Sequence, residues 1–320
     1  MKAIRVHQFG GPEQLKLEEV PEPQPGPGQV VVQVRAIGVN PFETYQRTGT
    51  YAIKPQLPYT PGTDAAGIVA KTGQGVQRVK VGDHVYVAGN LSGSCAERTL
   101  CLESQVHPLP LNVSFEQGAA VGVPYATAYR ALFQKGHALP AETVFVHGAS
   151  GGVGLAATQL AHAHGMTVIG TAGSDQGREL VKQNGAHHVL DHNQSDVPES
   201  VKKLTSGRGA DVILEMLANK NLAKDLSMVA LRGRIIVIGN RGNIEINPRD
   251  AMGRDASIMG FTVWNTPEKD LEAIHAALVA ALESGVARPV IGKKFPLAEA
   301  ARAHEEVLKP GSYGKIVLIP

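Results

Sequence analysis

The sequence predicts an α/β protein of two domains, one β-rich and the other a doubly wound parallel sheet. Three observations predict it. A chain of 320 residues can bury a large core and favours two domains over one. Residues 1 to about 116 carry short alternating runs punctuated by proline and glycine, the pattern of a compact β domain. From about 117 to 262, strand-like and helix-like runs alternate, and the strands are β-branched without a polar face. That is the pattern of a parallel sheet covered on both sides.

Composition narrows the classes of function. Basic and acidic side chains number 31 and 29, a formal charge of +2, so no overall field draws the chain to nucleic acid or membrane. Cys95 and Cys101 are too few for a disulfide framework or a zinc lobe with four cysteine ligands, so reduced thiols in a cytoplasmic protein are expected. Met1 to Val6 alternates like a strand and lacks the apolar run of a secretory signal. No uninterrupted apolar segment is long enough to span a bilayer.

Taken in order, Val30 to Ala36, Gly67 to Lys71 and His84 to Ala88 are strands of the first domain. Pro21 to Gly28 is proline-rich, and fixed φ angles with missing donors make it an extended surface connection. Phe115 to Gln134 is alanine-rich and predicts helix around a break at Pro124, where the chain crosses into the second domain. Strands at Val144 to His147, Thr167 to Thr171, Val189-Leu190, Val212 to Glu215 and Arg234 to Ile238 then alternate with helices over 152–164, 175–184, 197–205 and 219–230. After Ile258 to Val263, Pro267 to Ser284 is an amphipathic helix with Leu271, Ile274, Leu278 and Leu282 on one stripe, ended by Gly285. Pro289 to Phe295, a helix near 297–308 and Lys315 to Ile319 resemble the first domain, so the tail is expected to return to it. The expected domains are 1–116 with 263–320, and 117–262.

The chemistry is concentrated after the strand Val144 to Val146. His147-Gly148-Ala149-Ser150-Gly151-Gly152-Val153-Gly154 breaks into glycines and then into Leu155-Ala156-Ala157, which reads as strand, phosphate loop, helix. Glycines at 151, 152 and 154 let the chain turn tightly, let a pyrophosphate approach the backbone, and let the helix pack on the strand. Free N–H groups at the helix start face an anion. The following strand lies at the distance that a right-handed βαβ crossover needs. Together these predict dinucleotide binding.

An Asp or Glu about 20 residues past the glycines normally binds the ribose diol of NAD. Here the position reads Thr171-Ala172-Gly173-Ser174. No carboxylate there repels a 2′-phosphate, which favours NADPH. Asp175 is expected in the first turn of the next helix, favoured by the helix dipole, with Ser174 as its cap. Gly173, Ser174, Arg178 and His192 are the candidate phosphate partners, and one charged hydrogen bond worth about 1.5–3 kcal/mol sets the preference. The nicotinamide is expected where the two domains meet, lined by Ile238-Gly239-Asn240-Arg241 and Phe261-Thr262-Val263. In the first domain, Asn40 to Tyr51 places an amide and the phenols of Tyr45 and Tyr51 close in sequence, surfaces suited to a planar ring, with ordinary surface or core tyrosines as the alternative.

These residues are familiar in combination. Asn40 to Tyr51, Leu57 to Gly67, Gly118 to Leu132, His147 to Gly154, Gln183 to His187, Glu215 to Asn219 and Gly242 to Asp250 resemble the zeta-crystallin type, the NADPH:quinone reductase branch of the medium-chain dehydrogenase/reductase superfamily. The resemblance covers nearly the whole chain. It implies a GroES-like catalytic domain built from both chain ends around a Rossmann domain, in a homotetramer. It also implies NADPH contacts from Tyr45, Ser150, Gly151, Gly152, Val153, Gly173, His192, Asn221, Ile238 to Arg241 and Phe261 to Val263. Asn219, two residues from Asn221, is a competitor for that role.

The zinc branch of the superfamily has a His-Glu pair where this chain has Thr63-Asp64, and it needs cysteine ligands that are missing here. His187 and His188 are adjacent, and His162 and His164 point to different sides of a helix, so no metal site is expected from them. Metal-free chemistry suits a quinone, whose ring delocalises incoming negative charge without a Lewis acid. Asn40, Tyr45 and Tyr51 are the expected catalytic lining, with Tyr45 or water supplying a proton if hydride is transferred. The resemblance implies one-electron reduction of ortho-quinones. Alternatives are reduction of enone or alkenal double bonds and, by the same resemblance, NADPH-sensitive binding of AU-rich mRNA or an abundant structural role in lens.

Overall fold

The structure, a computed structural model, describes residues 1–194, 196–311 and 313–320. It divides into two compact units, Met1–Pro124 with His275–Pro320, and Tyr125–Ile274.

The first unit opens with a hairpin of β1 (Lys2–Arg5) and β2 (Lys16–Glu19). It continues through β3 (Gln29–Val39), helix α1 (Pro41–Thr48), β4 (Asp64–Thr72), β5 (His84–Ala88), β6 (Arg98–Leu102) and β7 (Val106–Pro108). Valines on β3 alternate into an apolar core with Ile4, Val69, Val85 and Val106. Two short helices follow, α2 (Phe115–Gly118) and α3 (Gly122–Tyr129).

The break expected at Pro124 falls instead at residues 119–121, and Pro124 lies in the first turn of α3. There its missing N–H removes no intrahelical bond, so proline opens the helix rather than ending it. The Val123 N–H donates to Asp64 Oδ1 at 2.9 Å, which ties the start of α3 to β4 within the first unit.

The second unit holds β8 (Thr143–Val146), α4 (Gly152–Ala163), β9 (Thr167–Ala172), α5 (Asp175–Gln183), β10 (His188–Asp191), α6 (Val197–Leu204), β11 (Ala210–Glu215), α7 (Ala218–Met228), β12 (Val229–Val237), α8 (Pro248–Met252) and β13 (Ser257–Gly260). Its six strands are all parallel, in the order β10-β9-β8-β11-β12-β13. This is the doubly wound order, with its switch point between β8 and β11. Phe145, Ile169, Ile213 and Ile235 from the sheet bury against Val201, Leu222 and Leu226 from the helices. The helix expected over 219–230 stops at Met228, because Val229 and Ala230 already belong to β12.

Helix α9 (Glu268–Glu283) buries Ile274, Leu278 and Leu282 completely. From His275 onward the chain belongs to the first unit, where the His275 ring stacks on His107 at 3.8 Å. β14 (Ile291–Pro296), α10 (Ala300–Glu306) and β15 (Lys315–Ile319) complete that unit. β15 pairs antiparallel with β3, Ile316 opposite Val39, so the tail returns as expected.

Candidate coenzyme and substrate sites

Each predicted coenzyme residue of the second unit follows the carboxyl end of a parallel strand. Ser150 to Val153 follow β8, Gly173 to Arg178 follow β9, and His192 follows β10. Asn221 lies in the helix after β11, Ile238 to Arg241 follow β12, and Phe261 to Val263 follow β13. A doubly wound sheet binds its ligand along this edge.

The phosphate loop is fixed from beneath. Ala149 N–H donates to the Thr171 carbonyl at 2.8 Å, and Gly148 N–H to the Thr171 hydroxyl at 3.1 Å. Gly151 precedes α4 with extended backbone and no side chain caps the helix, so its first N–H groups stay open to an anion. Gly154 is the position where a side chain cannot fit: a Cβ would lie 2.5 Å from both Ala149 Cα and the Gly148 oxygen.

At the end of β9, Ser174 caps α5 by accepting from Gly177 N–H at 3.1 Å, and Asp175 occupies the first turn. Arg178 pairs with Asp175 and, at 3.0 Å, with Asp191. The predicted phosphate partner therefore already holds two carboxylates. The His192 ring lies against Gly173, and Asn193 donates to the Gly173 carbonyl at 3.1 Å. Burial pushes the His192 imidazole below its ordinary pKa.

Asn219 and Asn221 separate cleanly. Asn219 Oδ1 accepts from Arg241 N–H at 3.0 Å, and Asn240 Oδ1 accepts from Asn219 N–H at 3.0 Å, which locks the loop after β12. Asn221 instead donates to Glu215 Oε1 at 3.2 Å. The close approach at Gly239 comes from the chain itself, since a Cβ there would stand 2.2 Å from the Met216 oxygen.

Sequence reasoning missed Arg130. Its position at the start of the wide-turned segment Arg130–Lys135 carried no signal, yet the residue is only 6% exposed. Its guanidinium donates to the Thr262 carbonyl at 3.3 Å and to the Thr266 hydroxyl, and lies 5.3 Å from the Phe261 ring centre. Arg130 thus clamps the Phe261–Val263 stretch.

In the first unit, the structure brings Asn40 into a network that the sequence did not reveal. Asn40 Nδ2 donates to Asp64 Oδ2 at 3.0 Å and to Glu43 Oε1 at 3.2 Å, while Lys315 Nζ donates to Asn40 Oδ1 and, at 3.1 Å, to Asp64 Oδ2. Glu43 also accepts from the backbone of Asn40 and Thr63, both at 3.1 Å. Desolvation outweighs those donors and the Lys315 charge, and Glu43 is pushed up to about 7. Asn40 itself is 2% exposed, so its amide is spent inside the unit. Tyr45 and Tyr51 are both partly exposed; Tyr51 folds back so that its ring lies 5.7 Å from that of Phe42.

The zinc of the superfamily's other branch does not fit this place. Asp64 stands where the zinc branch carries a ligand pair, but its Oδ2 already receives an ammonium and an amide, and its Oδ1 receives the Val123 N–H. Lys315 supplies the positive charge that a metal would bring.

A β-rich unit built from both chain ends and a doubly wound sheet with an uncapped glycine loop define a two-domain, dinucleotide-binding dehydrogenase. Family comparisons agree: residues 26–142 match the alcohol dehydrogenase GroES-like domain, and 152–280 the zinc-binding dehydrogenase domain. A "Quinone oxidoreductase" of Rattus norvegicus is 50% identical over 321 residues, covering 100% of this chain and 98% of that protein. The solved quinone oxidoreductase of Escherichia coli, complexed with NADPH, superimposes with a TM-score of 0.91 at 32% identity, covering 100% of both chains. A solved NAD-dependent alcohol dehydrogenase gives 0.94 at 29% identity, again over 100% of both. The chain belongs to the zeta-crystallin-type quinone oxidoreductase family of the medium-chain dehydrogenases/reductases.

Proposed function

We propose that this protein is an NADPH-dependent quinone oxidoreductase. The observation that carries the coenzyme choice is the end of β9: Ala172-Gly173-Ser174 offers no carboxylate to a ribose diol, and His192 and Arg178 flank it. The names of the relatives support the quinone, and so does a catalytic unit in which Lys315 and Asp64 stand in place of a metal centre.

When bound, the coenzyme supplies the reducing equivalents. The protein's share is binding and orientation. The open N–H groups of α4 and the glycine loop bind the pyrophosphate, and Gly173, Ser174, Arg178 and His192 bind the 2′-phosphate. Asn221, Ile238 to Arg241 and Phe261 to Val263, the last clamped by Arg130, orient the nicotinamide. Tyr45 and Tyr51 line the quinone, and Tyr45 or water delivers a proton where hydride is transferred. Asn40, its amide engaged by Lys315 and Asp64, acts by positioning α1. The functional domains in this reading are 1–116 with 263–320, and 117–262.

The protein works as a homo-oligomer, a tetramer by its resemblance. β13 supports this as an open parallel edge with Ile258 38% exposed, and Leu231 and Met252 are exposed in the same unit. No helix among the described residues is long and apolar enough to cross a membrane. Two free, buried thiols, Cys95 and Cys101, support a cytoplasmic location.

Mixing the pure protein with NADPH or NADH and 1,2-naphthoquinone tests the reading. NADPH oxidation well above background, faster than NADH oxidation, is expected; no oxidation, or a preference for NADH, overturns it. Enone substrates in the same assay separate double-bond reduction from quinone reduction, and competition between NADPH and an AU-rich oligonucleotide tests RNA binding.

A further inference from the structure

A buried carboxylate lies under the helix that carries the acceptor contacts of the β-rich unit. Glu43 is the third residue of α1 and is 1% exposed. Its Oε2 accepts from Asn40 N–H at 3.1 Å, and its Oε1 accepts from Thr63 N–H at 3.1 Å and from Asn40 Nδ2 at 3.2 Å. Asn40 opens α1, and Thr63 belongs to the loop that enters β4. Glu43 therefore joins two segments that are 20 residues apart. The far end of α1 is held separately, where Arg47 donates to the Gly10 carbonyl at 2.7 Å. Tyr45 stands two residues beyond Glu43, about 200° round a helix, so its phenol is turned away from the buried carboxylate. Accordingly, Tyr45 is partly exposed.

We propose that the Glu43 carboxylate is a positioning residue of the acceptor site, locking the first turn of α1 to the Thr63 backbone and so fixing Tyr45 against the quinone. The inference rests on the quinone reductase reading and names the group that orients its catalytic unit. All three contacts to Glu43 come from donors. A carboxylate accepts from each, whereas the neutral acid exchanges part of that acceptor capacity for a proton of its own. Burial, and then the charge of Asp64 on β4, favour the acid; the Asn40 donors and the Lys315 ammonium on β15 favour the carboxylate, and the balance puts Glu43 at about 7. The other titratable groups that feel its charge, the Tyr59 phenol and the Cys95 thiol, are both pushed up and stay neutral in this range. The tie is whole above about 7 and is withdrawn by protonation below it, so turnover falls with pH.

The test is steady-state reduction of 1,2-naphthoquinone by the full-length protein at saturating NADPH, from about pH 5.5 to 8.5. Wild-type kcat is expected to fall about tenfold per pH unit below about 7. Glu43→Gln keeps the size of the side chain but sets an amide donor against donors. It is expected to lose about 10- to 100-fold in kcat above pH 7, with KM for NADPH unchanged and no acid limb near 7. Glu43→Asp keeps the charge, and is expected to recover part of that turnover and to keep a displaced acid limb. A merely structural role would lower the unfolding midpoint and leave kcat per folded molecule and the acid limb as they are in the wild type. Full kcat in Glu43→Gln, an acid limb near 7 that survives in it, or a flat wild-type profile overturns the proposal and leaves quinone reduction standing. No turnover in the wild type overturns both. If Glu43→Gln does not fold, Glu43→Asp decides, and wild-type kcat with an undisplaced limb in that variant overturns the proposal.

Discussion

Replacing Lys315 by methionine removes the buried ammonium and keeps the length of its stem. Lys315 is 4% exposed and its Nζ lies 3.1 Å from Asp64 Oδ2, itself 0% exposed. At an effective dielectric of about 20 that spacing corresponds to about 5 kcal/mol of gross attraction, offset in the wild type by desolvation of both groups. In the variant the desolvation of Asp64 remains and the attraction does not. Lys315→Met is therefore expected to destabilise the β-rich unit by about 3–5 kcal/mol, measured by urea unfolding followed by circular dichroism. Lys315→Met/Asp64→Asn is expected to lose less than the two single variants added together, because neither buried charge is then left alone. A loss below about 1 kcal/mol, the range of an exposed pair, or strict additivity in the double variant would refute the reasoning.

Three further outcomes follow from the geometry. Gly154→Ala forces a methyl onto backbone atoms at 2.5 Å, and is expected to cost about 1–3 kcal/mol and weaken NADPH binding measured by coenzyme fluorescence; Gly260→Ala, with nothing within 4 Å, should stay within about 0.5 kcal/mol. Arg178→Ala is expected to raise KM for NADPH by about 10-fold or more with KM for NADH unchanged; equal changes would remove Arg178 from 2′-phosphate binding. Burial lowers His275 to about 4 and His107 to about 2, below the ordinary 6.5. The unfolded chain therefore takes up protons first as pH falls, so their contribution is full above about 6.5; it is lost between about 6.5 and 4 for His275, by about 3 kcal/mol, and continues to fall toward about 2 for His107. His107→Phe/His275→Phe is expected to flatten unfolding free energy across that range, and an unchanged slope would count against the stacked pair as its source.

Local pattern made much of the molecule legible. β-branched runs such as Val144–Val146 and Ile235–Val237 can satisfy neither face with water, so they declare a covered sheet wherever they stand. The amphipathic stripe of Ile274, Leu278 and Leu282 and the return of Lys315–Ile319 to the first unit were readable for the same reason. The glycine loop and the missing carboxylate after β9 depend on neighbours in sequence, so they also show before folding. Pro124 misled because a proline breaks a helix interior but suits a first turn, and sequence alone did not say which it was.

What only the tertiary structure decided is which polar side chains meet. Lys315 and Asp64 are 251 residues apart, and His147 and Asp225 are 78 apart; no periodicity registers a partner at that distance. Asn40 has the residue type expected of a substrate contact, yet packing encloses its amide among Glu43, Asp64 and Lys315. Arg178 reads from the sequence as a phosphate partner, and only the structure shows that it also pairs with Asp175 and Asp191. Apolar periodicity is set by each element's own geometry, so the sequence carries it. The partner of a buried charge is set by where distant elements dock, and that exists only once the chain has folded.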